Sequence, residues 1–230
     1  MHTLLIVLIL SACILLAASH DGGSEKGRPG VNSSVISSEQ NPQKNQKDPK
    51  DFSITEKEQA GLTRIAMAVL DNHFAPDGDK VSLADLTDSF EVPNNYNIPA
   101  GLFVTFYKDG KTRACWGSVQ PIHPDLVKAT VYTAEDALNK EYRHRPITRA
   151  ELKDIKVQVT VVKQSVPIGS HHELNPLHDG LLLKARGKGA VILPGEASDP
   201  HHQIVMARLK AGIRPVESCE LYRLKTDVYK

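Results

Sequence analysis

A cysteine close to an arginine is the first group in this sequence that could perform covalent chemistry. Cys115 stands in the segment RACWGS, residues 113–118. A nearby cation stabilises a thiolate relative to a thiol, so Arg113 could lower the pKa of Cys115 and activate it as a nucleophile or redox thiol. A cysteine beside a tryptophan is also typical of a small apolar residue in a protein core. The bare sequence favours this second interpretation.

Histidines form the second set of reactive residues. They occur at 171–172, at 178 beside Asp179, and at 201–202. Neighbouring histidines point to opposite faces of a strand and lie about 100° apart on a helix, and neither pair has the i, i+4 spacing of HExxH. We place both pairs in exposed loops and predict no metal site. The sequence has no GxSxG, GxGxxG or GxxxxGK[ST] motif, so it predicts no cofactor either.

Composition excludes several classes of function. The chain has 230 residues, of which 40% are hydrophobic, so it is long enough for a folded domain with one core. Its 28 Lys and Arg nearly balance 27 Asp and Glu, giving a net charge of +1. Aromatic residues make up only 5%. Without a basic excess or aromatic stacking surfaces, we expect no binding of nucleic acid.

The N-terminal part differs from the rest of the chain. Residues 4–18 form an uncharged apolar run, followed by small residues that end at Ser19. We interpret 1–19 as a signal peptide or, alternatively, an N-terminal anchor, with a lipobox ending at Cys13 as a third reading. Residues 20–52 are polar, lack apolar periodicity and are predicted to be a disordered linker. These features place domain 53–230 in the periplasm or outside the cell, with membrane contact only through the N-terminus.

Apolar spacing in the remaining chain predicts alternating helices and strands. Helices are expected after Ser53 and over 82–90, 125–138 and 204–211, and strands over 102–107, 111–116, 155–161, 181–183, 190–193 and 220–228. The Asp109-Gly110 pair is typical of a two-residue hairpin turn, and a second hairpin turn is expected at 187–189. The predicted fold class is α+β, an antiparallel sheet with flanking helices.

The first hairpin resembles the signature of a known family. Its sequence GLFVTFYKDGKTRACWGS, residues 101–118, is similar to the GxFVTL-x-KxGxLRGCIGS pattern of the AMMECR-one domain family. Further similar blocks follow in the family's order at 143–152, 155–168, 179–183, 190–194, 210–213 and 221–229. The resemblance covers nearly all of residues 53–230.

The resemblance carries expectations about fold, site and partners. It implies an antiparallel sheet with a smaller helical subdomain. It places the family's proposed functional motif on Arg113, Cys115 and Gly117. Family members are often encoded beside, or fused to, a Memo-type dioxygenase-like protein and a radical-SAM enzyme, which implies a pathway that modifies a protein or small molecule. The motif cysteine is usually an unpaired thiol in the family, so we expect Cys115 and Cys219 to be free.

Two hypotheses for function follow. In the first, the chain is a binding or accessory module whose hairpin, with Gly117 and Ser118, forms a cleft with the Asp179-Gly180 loop. Departures from the motif, including Ala114 and Trp116, favour this reading of a diverged member.

In the second hypothesis, the chain is an enzyme with Cys115 as nucleophile or redox thiol. Arg113 would lower the pKa of that thiol, and His144 or His178 would act as the base.

Overall fold

The computed structural model describes residues 56–230. The predicted signal peptide or anchor (1–19) and the polar linker (20–52) lie outside this range. The helices are α1 (Glu56–His73), α2 (Leu83–Asp88), α3 (Leu126–Lys140) and α4 (Pro200–Ala211). The strands are β1 (Gly101–Lys108), β2 (Lys111–Ser118), β3 (Lys156–Ile168), β4 (Asp179–Ala185), β5 (Lys188–Ile192) and β6 (Glu220–Tyr229). Short 3₁₀ turns occupy Arg149–Asp154 and His171–Glu173. None of the helices in the described range has the length and apolar character needed to cross a membrane.

The strands form a single six-stranded sheet in the order β2-β1-β3-β6-β4-β5. Every neighbouring pair is antiparallel. The predicted α+β class is therefore confirmed, and α1, α2 and α3 form the helical group at the β1–β3 end of the sheet.

The two hairpins turn where the backbone can adopt positive φ. Asp109 and Gly110 have φ values of 51° and 71°, as a two-residue type I′ turn requires. Arg186 and Gly187 have φ values of 49° and 75° and connect β4 to β5. The second turn therefore lies at 186–187, and not at 187–189 as the two glycines had indicated.

Helix α4 begins earlier than its apolar spacing predicted. The side chain of Asp199 caps it by accepting a hydrogen bond from the backbone N–H of His202 at 2.8 Å, and Pro200 occupies the first helical position. Gly212, with φ of 62°, ends the helix as predicted. The prediction that His201 and His202 lie in a loop is wrong, because this cap places both in the first helical turn.

The helices pack on one side of the sheet in two clusters. Helices α1 and α3 cover β1 and β3, where Val104 and Val159 are buried. Helix α4 covers β4 and β5, where Leu181 and Ile192 are buried. Both clusters lie on the same side of the sheet, because alternate residues of β6 point to one face and that face contributes to both clusters.

A third apolar cluster lies on the opposite side of the sheet. It consists of Phe103, Cys115, Val162, Leu182, Leu193 and Leu224. Since the described helices pack on the other side, this cluster is buried by the curl of the sheet itself. An irregular register between Val162 and Gln164 in β3 contributes to the bend. The curl brings β2 and the residue after β5 into one cluster, although these strands stand at opposite ends of the strand order.

Candidate functional site

The Cys115 thiol lies in this inner cluster and is only 8% exposed. The hydroxyl of Thr105, on the paired strand β1, donates a hydrogen bond to the sulfur at 3.2 Å. Burial raises the pKa of Cys115, and the hydrogen bond from Thr105 offsets only part of that effect. The thiol is therefore held in its neutral, weakly nucleophilic form.

Arg113 forms an ion pair with a carboxylate, and in the described part of the chain it forms no hydrogen bond with the Cys115 thiol. It lies at a break in the β1–β2 register, between the partners of Phe106 and Tyr107. Its Nε and Nη2 donate to the two oxygens of Glu151 at 2.9 and 3.1 Å. The hydrogen bond from Arg113 lowers the pKa of Glu151 to about 2. The expectation that Arg113 lowers the pKa of Cys115 is wrong, because the cations that act on this thiol are Lys210 and Arg143, and burial outweighs them.

A second ion pair, which sequence reasoning missed, lies against the backbone of Cys115. The Glu141 side chain is only 4% exposed and pairs with Arg143 Nη2 at 2.6 Å. The N–H of Cys115 donates to Glu141 Oε2 at 3.2 Å, and its carbonyl accepts from Arg143 Nη2 at 3.3 Å. Burial opposes ionisation of Glu141, but the hydrogen bonds from Arg143 keep its pKa below the ordinary value. The signal available in the sequence was Glu141, which lies two residues before the arginine that begins the 143–152 block.

Together the two ion pairs fasten residues 141–148, which we call the basic loop, to strand β2. Beyond Glu151, the Arg113 guanidinium donates to the carbonyls of Arg145 and Pro146 at 3.3 and 3.4 Å. Glu151 also accepts from the backbone and hydroxyl of Thr148, both at 2.9 Å, in a capping box. Arg113 and the backbone of Cys115, both in the hairpin motif, therefore hold this loop in place.

Gly117 and Ser118 complete the motif on β2. A Cβ on Gly117 would overlap the carbonyl oxygen of Leu102 and the ring of Phe103, so only glycine allows this close approach. The Ser118 hydroxyl accepts a hydrogen bond from the N–H of Gln120 at 3.1 Å and so fixes the backbone directly after β2.

Asp179 and Gly180 begin strand β4. The Asp179 side chain is 4% exposed and accepts from Lys225 Nζ at 2.6 Å and from the N–H of Asn175 at 2.8 Å. Asp179 lies on the face of β4 that packs against α4, whereas Cys115 faces the inner cluster. The structure therefore places Asp179 on the opposite face of the sheet from Cys115 and Gly117. Gly180 lies on the inner face, against Leu224.

The histidines proposed as bases remain apart from the thiol. His144 is exposed on the basic loop, and His178 is exposed in the turn before β4. Within residues 56–230, neither forms a hydrogen bond with Cys115. The structure thus does not assemble a base with this thiol.

The fold does bring other histidines together. The rings of His171 and His172 lie 4.2 Å apart between centroids, and those of His171 and His201 lie 6.1 Å apart. No three His, Cys, Asp or Glu side chains in the described range are arranged to hold a metal ion. Cys219 is free, as is Cys115, and its sulfur accepts from Arg208 Nη2 at 3.1 Å.

Most of the chain is similar to known proteins. A sequence model of the AMMECR1 family matches residues 42–230, which is most of the chain. The chain belongs to the AMMECR1 family. This AMMECR1 match includes the whole sheet, the four helices and the basic loop.

Proteins of two named organisms are similar in sequence to this chain. A Thermotoga maritima protein is 33% identical over 135 residues, covering 57% of this chain and 78% of the relative. Protein MJ0810 of Methanocaldococcus jannaschii is 28% identical over 193 residues, covering 77% of this chain and 92% of the relative.

A solved structure shares the fold. The crystal structure of the uncharacterised protein PH0010 from Pyrococcus horikoshii superposes with a TM-score of 0.65 at 21% identity, covering 77% of this chain and 93% of that chain. At this identity the likeness establishes the fold.

Proposed function

We propose that this AMMECR1-family protein is a binding or accessory module and that the basic loop is its recognition surface. The observation that carries the proposal is the bonding of Arg113. The arginine of the family's central motif makes four hydrogen bonds, two to Glu151 and one to each of two loop carbonyls. Such bonding fixes a surface loop before a partner arrives, which reduces the ordering cost of association.

The chemistry of the loop favours an acidic partner. The basic loop and its two flanking residues, 140–149, contain four basic side chains and one acidic side chain. Arg143 is neutralised by Glu141, Lys140 by Asp136, and Arg149 donates to the carbonyl of Phe74. Arg145 is exposed beside His144 and is directed by the backbone bonds that Arg113 makes. A carboxylate-bearing segment of another protein would complement this surface.

The Cys-dependent alternative receives no comparable support. A nucleophilic cysteine requires a stabilised thiolate and a route for substrate to the sulfur. Burial in the inner cluster favours the thiol and restricts that route. We therefore assign Cys115 to the packing of the inner cluster.

The proposed partners are the Memo-type and radical-SAM proteins that the family resemblance implies, in a pathway that modifies a protein or small molecule. Isothermal titration of each purified partner from the same host into the full chain tests this. We expect Arg145→Glu to weaken binding at least about tenfold, equivalent to about 1.4 kcal/mol. The matched control is Lys188→Glu, which reverses an exposed charge on the β4–β5 hairpin. Equal effects of the two variants would contradict the loop assignment, and no heat with either protein would contradict the proposed partners.

We also propose that the chain acts outside the cytoplasm, on the basis of the apolar run at residues 4–18. Fractionation of the native host, with N-terminal sequencing of the recovered chain, tests this. Intact chain beginning at Met1 in the soluble cytosol would contradict the proposal.

A further inference from the structure

Three histidines from separate parts of the sequence form one contact between the 170–174 turn and helix α4. His171 stacks on His172 with centroids 4.2 Å apart, and His201 in the first turn of α4 lies 6.1 Å from His171. We call these three residues the histidine cluster. The turn packs directly against α4, so the cluster lies at the joint between the two elements.

The His171 ring is poorly placed to carry a charge. Its Nε2 is buried and forms no hydrogen bond with any residue in the range 56–230. Protonation of the ring would bury an N–H group that has no acceptor. Burial lowers the pKa of His171, and the neighbouring His172 and His201 lower it further.

The acidic groups at this joint are already engaged. Glu173 accepts from the N–H groups of Gly169 and Ser170, both at 2.9 Å. Asp199 caps α4, as described above, and also accepts from the Ser198 hydroxyl at 3.1 Å.

The cationic groups nearby add positive charge or are neutralised. Arg223 of β6 approaches Glu173 at 3.7 Å, and Lys225 is neutralised by Asp179 of β4. The N-terminus of α4, where His201 and His202 lie, contributes a further partial positive charge.

We propose that the histidine cluster is an acid-sensitive latch: protonation of the His171 ring separates the 170–174 turn from the first turn of α4. The closed contact binds fewer protons than the open one. Its stability is therefore fully present above the ordinary histidine pKa of about 6.5 and is lost as the pH falls below that value toward the lowered pKa of His171. For one proton taken up only by the open form, the opening constant rises by up to about tenfold per pH unit.

Amide hydrogen exchange of the full chain, normalised to intrinsic rates, tests the latch. The reporters are the N–H of Leu174, which donates to the His171 carbonyl at 3.1 Å, and the N–H of Gln203, which donates to the Asp199 carbonyl at 3.0 Å. Between pH 7 and pH 5.5 we expect their protection to fall by about tenfold in the wild type and by less than about twofold in His171→Gln. The N–H of Ala129 in α3 serves as the reference that does not change.

Two further variants keep the test decisive. His201→Gln, at an exposed position that tolerates substitution, removes one of the two rings that lower the pKa of His171 and should make the fall in protection smaller, even if the His171 variant folds poorly. His178→Gln, an exposed histidine outside the cluster, should behave as the wild type. Equal protection at both pH values in the wild type, or an equal fall in all three variants, would overturn the proposal.

Discussion

Replacing Glu141 with glutamine tests whether the buried ion pair fixes the basic loop. The carboxylate receives four N–H donors, two on each oxygen. An amide keeps one acceptor oxygen and turns its NH₂ group toward the donors that the other oxygen accepted. Whichever way the amide is oriented, two donors lose their acceptor.

The expected loss follows from the number and exposure of these donors. A hydrogen bond to a charged group contributes about 1.5–3 kcal/mol, and two are lost. The Arg143 side chain is 34% exposed, so water replaces part of that loss. We expect the free energy of unfolding to fall by about 2–3 kcal/mol, which lowers the Tm by roughly 4–12 °C for a domain of this size.

Urea denaturation and calorimetry measure this change, with Glu91→Gln as the control because it makes the same chemical change at an exposed position. A second measurement reports on the loop itself. Trypsin should cleave after Arg143 faster in Glu141→Gln, whereas the Arg145-Pro146 bond resists trypsin in both proteins. A stability within about 0.5 kcal/mol of the control, the range usual for surface substitutions, together with unchanged cleavage, would refute the reasoning.

Three further outcomes are expected. Gly117→Ala should destabilise the domain by about 1–3 kcal/mol through overlap with the paired strand, and Gly78→Ala, which meets no atom within 4 Å, should not; equal unfolding midpoints would contradict this. A maleimide should label Cys115 much more slowly than Cys219 in the native protein, because Cys115 is buried with a raised pKa; comparable rates by peptide mapping would argue against the neutral, inaccessible thiol. Because the pKa of Glu151 is about 2, the stability from its ion pair is present above the ordinary carboxyl pKa of about 4.3 and is lost as the pH falls toward 2; Glu151→Gln should flatten that part of the stability profile, and a profile parallel to the wild type would contradict it.

Local signals predicted most of the secondary structure. The Asp109-Gly110 turn, the alternating residues of β3 and the glycine after α4 each depend on neighbours within a few residues, and all were found. The start of α4 was predicted too late, because the two histidines in its first turn are polar and do not extend the apolar pattern. The local signal for that start is Asp199, whose side chain caps the helix.

The arrangement of the site depended on contacts across the chain. The partner of Arg113 is 38 residues away, and Glu141 reaches the backbone of Cys115 across 26 residues. No spacing rule connects such positions, because they are joined by the packing of α3 and the following loop on the sheet. The burial of Cys115 likewise depends on a curl that joins strands from both ends of the sheet order. Motif resemblance singled out residues 113–118 but could not indicate whether their side chains act in chemistry or in support of the fold.

The side chains of Glu141 and Arg143 have a consequence for how copies of this protein meet one another. Strand β2 is an outer strand, and outer strands expose N–H and C=O groups that can pair with a strand of another molecule and start aggregation. At Cys115 a carboxylate already accepts from the N–H group and a guanidinium already donates to the carbonyl. These two side chains occupy the bonds that an incoming strand would need. A second copy can therefore extend the sheet at this position only by first breaking the ion pair between Glu141 and Arg143.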